Sequence, residues 1–159
     1  MDPVTEPLRM YGQVSDVGLL EWSWVERQLE AAGTYWVVAR PAPRAHPHPR
    51  PVWGVWVDGA LWLSIGSPVV ARQLAVDPAV TVHLDSGTDV VAVEAVAAER
   101  PGSDLTAVVA AYDAKYDWHY AVDEYGPLTR LEPATVVAWR AAGWAGRDGF
   151  RQVGRWRFD

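Results

Sequence analysis

The stretch that decides the fold is Val52–Ile65, VWGVWVDGALWLSI. Two runs rich in β-branched and aromatic residues flank Asp58-Gly59. That dipeptide supplies the two positive φ angles of a type I′ turn, so the stretch reads as a tight β-hairpin. Upstream, Thr34–Arg40 (TYWVVAR) has strand composition. Pro41–Pro51 then carries five prolines, which excludes central strand or helix and leaves a connection running into a strand edge. Downstream, Ser67-Pro68 reads as N-cap and first residue of a short helix, with Val70 and Leu74 on its buried side. Asp77-Pro78 ends that helix.

Working outward, Trp22, Val25, Leu29 and Ala32 fall on one face of a helix over Leu19–Ala32, and Gly33 stands where a C-terminal cap belongs. AVTVHLD (79–85) and TDVVAVEAVAAE (88–99) are two strands, apolar at nearly every position, so both faces are expected to be covered. Pro101-Gly102 breaks the pattern, Ser103 caps a second helix, and Leu105, Val108, Val109, Tyr112 and Tyr116 form its apolar stripe. ATVVAWRA (134–141) and VGRWRF (153–158) are further strands, and residues 1–18 read as a loose N-terminal arm. Hairpin-linked strands in this number suggest a mainly β, antiparallel barrel with flanking helices closing its ends.

Composition narrows the function classes. At 159 residues the chain is expected to form a single domain. It has no cysteine, which excludes disulfides, thiolate chemistry and cysteine zinc sites. No apolar run is long enough to span a bilayer and no signal peptide is visible, so a soluble, cytoplasmic protein without a membrane partner is expected. The net charge of −6 argues against nucleic acid as a partner. The same conclusion follows from the tryptophans at 53, 56 and 62, which come with few basic neighbours. These indoles read as packing or as an aromatic wall. Of the fourteen basic residues only Lys115 is a lysine, so a single side-chain amine is available for chemistry.

No nucleophile motif and no P-loop appears, and no catalytic residue can be assigned. His46 and His48, with His83 or His119, are the nearest approach to a metal set, but the flanking prolines make them loop histidines. Asp89 and Glu94 read as turn and edge charges rather than an acid–base pair. The helix N-terminus at Ser67-Pro68, with Arg72 just inside it and His48 and Arg50 upstream, forms a candidate anion site suited to a phosphate.

The segment PHPRPVWGVWVDGALWLSIGSPVVARQLAVDPAVTVHLDSG resembles the pyridoxamine 5′-phosphate oxidase-like superfamily of FMN-binding split barrels. It is most similar to the actinobacterial flavin- and deazaflavin-dependent branch. The preceding helix with TYW, the AYDAKYDW helix and the terminal RWRF extend the likeness to about Leu19–Phe158. The resemblance implies a six-stranded antiparallel split barrel that forms a homodimer with cofactor sites at the interface. It implies FMN, or the deazaflavin coenzyme F420, and hydride transfer to or from a small organic substrate. By the same resemblance His48, Arg50, Pro51, Val52 and Trp53 run beneath the ring. Ser64, Ile65, Ser67, Arg72 and Gln73 surround the phosphate, with Arg72 its main ligand, and Trp156 and Arg157 approach from the partner subunit. Four positions depart from the family pattern: Ile65 and Gly154 replace threonine, and Pro68 and Val70 stand where a serine and a lysine are usual. Those departures motivate the alternative that the barrel has no redox cofactor and serves as a binding or sequestering module.

Overall fold

The computed structural model describes residues 3–7, 9–10, 13–14, 20–43, 45–98, 104–140 and 152–158. Elements run in the order β1 (Val4–Glu6), β2 (Arg9–Met10), β3 (Gln13–Val14), α1 (Trp22–Ala31), β4 (Tyr35–Ala39), β5 (Arg50–Val52), β6 (Gly54–Val57), β7 (Ala60–Leu63), α2 (Pro68–Val76), β8 (Ala79–His83), β9 (Asp89–Ala98), α3 (Thr106–Tyr116), α4 (Val122–Tyr125), β10 (Thr129–Arg140) and β11 (Gln152–Arg157). The expected hairpin is present. Asp58 and Gly59 have φ of 51° and 72°, the two positive values the turn demands, and β6 pairs antiparallel with β7 from Gly54↔Leu63 to Val57↔Ala60.

All the ladders are antiparallel, and the strand run Arg50–Val57 closes them into a ring. β5 pairs with β4, β6 pairs with β7, and β7 pairs with the start of β10. From β10 the ladder continues through β9 and β8 back to β4. Six runs of chain therefore close the barrel, although nine strands join the one sheet. The count rises because the closing run is interrupted at Trp53, and because β11 and β1 extend the sheet beyond β10. Pro133 sits in the middle of the long β10, where a missing N–H would cost a ladder bond. The register shifts between Pro133 and Thr135, and that bulge accommodates it.

The barrel interior holds Tyr35, Val37, Trp56, Leu61, Leu63, Val82, Val93, Leu131 and Trp156, with Val25 and Leu29 of α1 and Val70 of α2 packed into it. A second apolar layer lies between the hairpin and α3: Val55, Ala60 and Trp62 meet Val108, Tyr112, Tyr120 and Leu128. The stripe read from the sequence of α3 is this second layer.

Three local expectations are corrected, and a fourth falls outside the described residues. Val4–Glu6 is not a loose arm, because it forms an edge strand on β11 and Glu6 faces Arg155 and Arg157 across the pair. Gly33 is not a left-handed cap: α1 ends at Ala32 in extended geometry, with the Ala32 N–H donating to the Gln28 carbonyl. Ser103, the expected cap of α3, lies outside the described residues; within them, Asp104 Oδ1 accepts from the Thr106 N–H at 2.9 Å and its hydroxyl at 2.6 Å. Finally, among the described residues β9 is fully buried on one face only. Val91, Val93 and Ala95 are buried, whereas Glu94 is exposed and Val96 is 43% exposed.

Candidate functional site

At Trp53 the closing run changes partners. The residue falls between β5 and β6, belongs to neither ladder, and is 45% exposed. Its carbonyl accepts from the Ser64 N–H at 2.9 Å, which ties the break to the end of β7 and so to the turn before α2. The Trp53 ring stacks on Tyr116, with centroids 4.8 Å apart and planes 6° from parallel. Trp118, also exposed, stands edge-on to Trp53 at 6.1 Å.

Two adjacent residues of α3 hold the peptide that follows Trp53. The Tyr116 hydroxyl accepts from the Gly54 N–H at 2.9 Å and lies 2.8 Å from the Gly54 carbonyl. Lys115 donates to that same carbonyl at 3.1 Å and to the Tyr35 hydroxyl at 2.9 Å. Its ammonium also sits 4.9 Å from the centre of the Tyr35 ring. Gly54 has no room for a side chain, since a Cβ would lie 2.4 Å from Leu63 Cδ2 and 2.6 Å from the Trp62 carbonyl oxygen. Burial away from water lowers the Lys115 amine to about 8. Burial likewise raises Tyr35, Tyr112, Tyr116 and Tyr120, so these phenols stay protonated well past neutrality.

The sequence-predicted residues divide between the strand break and α2. Arg50 and Pro51 are exposed on β5, and His48 and Val52 are half-buried beside them. Ser64 and Ile65 are half-buried at the end of β7, and Ser67 caps α2 through a long 3.5 Å contact from the Val70 N–H. Arg72 is exposed on α2. Its neighbour Gln73 carries a buried Oε1 with no hydrogen-bond partner, an acceptor that a bound molecule's hydroxyl or N–H would satisfy. A helix N-terminus, a free-standing arginine and an orphaned amide oxygen fit the phosphate and sugar-like chain of a flavin mononucleotide.

Two of the four departures prove to be packing. Val70 is 1% exposed in the barrel core, a place where a lysine ammonium would be buried without a partner. Gly154 lies under the Trp156 indole, and a Cβ there would be 2.2 Å from Cη2. Ile65 and Pro68 remain positions with no donor to offer.

Trp156 is fully buried in its own barrel, against Trp22 at 5.6 Å. Arg157 is exposed, with Nη1 3.6 Å from Glu6 of the same chain. Trp56 and Trp62 are packing residues, whereas Trp53 alone of the three is a surface indole. Among the described residues, no three histidine, aspartate or glutamate side chains come close enough to hold a metal ion.

Sequence reading missed a cleft of about 620 Å³ outside the barrel, between α2, the start of α3 and the junction of β9 with β10. Trp62, Ile65, Leu74, Leu105 and Leu128 give it apolar walls, and Arg130 is the one charged residue among its described lining. Of the predicted site residues only Ile65 borders it.

With this geometry in hand, solved structures of the same shape can be compared. An F420 reductase matches over 70% of this chain and 94% of its own, with a TM-score of 0.55 and 16% identity. An FAD-binding protein from Mesorhizobium loti covers 99% of each chain, at TM-score 0.57 and 14% identity. A putative pyridoxamine 5′-phosphate oxidase from Listeria innocua covers 73% of this chain and 95% of its own, at TM-score 0.57 and 13% identity. The chain has the split-barrel fold of pyridoxamine 5′-phosphate oxidase-like proteins. Split barrels similar to this one also include a heme storage protein from Vibrio cholerae and a heme-binding protein from Mycobacterium smegmatis. No protein-family model and no curated protein matches the chain in sequence. The split barrel, not sequence identity, is therefore what links this chain to the others.

Proposed function

We propose that this split barrel is a flavin- or deazaflavin-dependent oxidoreductase, with its ring against the Trp53 break and its phosphate at the start of α2. One observation carries the reading: the Ser64–Trp53 bond places an exposed indole next to the turn that leads into Ser67 and Arg72. Neighbouring folds described as an F420 reductase and an FAD-binding protein support that class of cofactor. The cofactor would supply hydride chemistry when bound, which leaves binding and orientation to the protein. Trp53 offers the stacking face, Lys115 and Tyr116 fix the peptide behind it, and Arg72 and Gln73 offer a cation and an acceptor.

A homodimer follows from the same reading. The outer face of β9, with Val96 exposed, is the surface a second copy would cover. The rival reading, a split barrel without redox cofactor, rests on Ile65 and Pro68, which offer no phosphate donor.

Titration of the purified protein with FMN, F420 and heme, followed by absorbance and fluorescence, tests this. Saturable micromolar binding of FMN or F420, weakened at least about tenfold by Arg72→Ala, is the expected result. Binding of heme alone, or of none of the three, overturns the proposal.

A further inference from the structure

The cleft outside the barrel has a chemistry of its own. Among the described residues its walls are aliphatic and aromatic, Arg130 is its one charged residue, and neither an acidic residue nor a histidine lines it. The guanidinium lies over the Trp62 ring at 5.6 Å and pairs with Glu132, two residues along the same strand. Those two contacts hold the guanidinium plane in place while occupying only part of its five N–H donors. The Arg130 side chain is 21% exposed, so its remaining donors already see little water. A molecule without an acceptor would leave those donors unpaired, at a cost that disfavours purely apolar ligands. A phosphate dianion would need several donors, and among the described residues the cleft offers one cation and the Thr129 hydroxyl. A single carboxylate on an apolar body matches both the charge and the walls.

We propose that this cleft binds a small organic carboxylate, with the acid on Arg130 and the apolar body against Trp62, Leu74 and Leu128. The site meets the proposed cofactor site only at Ile65, since neither Ser67 nor Arg72 is among its described lining residues, and its test needs no redox cofactor.

Calorimetric titration of the full chain with 2-naphthoate and with its neutral amide, 2-naphthamide, tests the site without any redox cofactor. Naphthoate should bind saturably, one per chain, and at least about tenfold more tightly than the amide. Arg130→Gln should reduce naphthoate to the level of the amide, while Arg130→Lys keeps the preference for the acid. Ala75→Trp, a bulky ring at an exposed α2 position on the cleft wall, should abolish binding of both. Equal affinity for acid and amide, no saturable binding of either, or full binding by Ala75→Trp would each overturn the proposal. Because the acid–amide comparison and Ala75→Trp leave Arg130 in place, the test survives even if Arg130→Gln fails to fold.

Discussion

The run Arg50–Val57 has two halves of opposite character. In β5, Arg50 and Pro51 are exposed and make a short edge against β4. In β6, Gly54, Val55 and Trp56 are buried, because the barrel lies on one side and α3 on the other. The two halves belong to different ladders, and the residue between them belongs to none. A strand that must close a barrel and also pack under a helix has no side chain to spare for ligands. The place where it leaves one ladder for the next is released from both duties, and there a large indole stands in solvent.

The sharpest way to break this contrast is to add volume to each half. Gly54→Val should destabilise the fold by about 3 kcal/mol, because the new side chain meets Leu63 and the Trp62 backbone and neither can retreat far. Arg50→Ala, on the exposed half, should stay within about 0.5 kcal/mol. Urea melts of the two variants measure the difference, and similar midpoints would mean that Gly54 is not the packed corner described here.

A smaller loss, about 2 kcal/mol, is expected for Gly154→Thr, which restores the family's usual residue but drives a Cβ into the Trp156 ring. Phosphate binding should not improve in that variant. Stability at or above the parent's, or tighter FMN binding, would show that Gly154 is a lost donor after all.

Much of this was legible in the chain. Asp58-Gly59 and Ser67-Pro68 act locally, through φ angles and one cap, so their turn and helix start could be read directly. Val70 and Gly154 could not be, because their meaning depends on what lies opposite: a barrel core for one, an indole for the other. The burial of Trp156 depends on its surroundings in the same way. A sequence shows that an indole is present but not which side of a sheet it enters. The pairing of Arg130 with Trp62 joins strands far apart in the chain, and no local spacing announces it. Lys115 did leave a signal, as the chain's single lysine.

Trp53→Ala separates stability from binding at the break itself. The exposed ring contributes its stack on Tyr116, so the loss should be about 1 kcal/mol. Affinity for the ring-bearing cofactor should fall at least about tenfold, measured by fluorescence titration. An unchanged affinity would move the ring away from the break, and the contrast between the halves would then concern packing alone.

The smallest effect should come from Lys115, and its sign is informative. The folded chain holds this amine at about 8, below the 10.5 of a free lysine, because burial disfavours the charge. Between those two values the unfolded chain binds more protons than the folded one, so stability contributed by this group rises with pH across that window. Below pH 8 both states are protonated and the cost of the buried charge is felt in full. Lys115→Met carries no such charge, so its stability relative to the parent should be greatest near pH 7 and should shrink as pH approaches 10. Paired thermal melts at pH 7, 8.5 and 10 measure the trend. A difference independent of pH would mean that the ammonium keeps its water, and that the hydrogen bonds to Gly54 and Tyr35 hold the corner without any cost in charge.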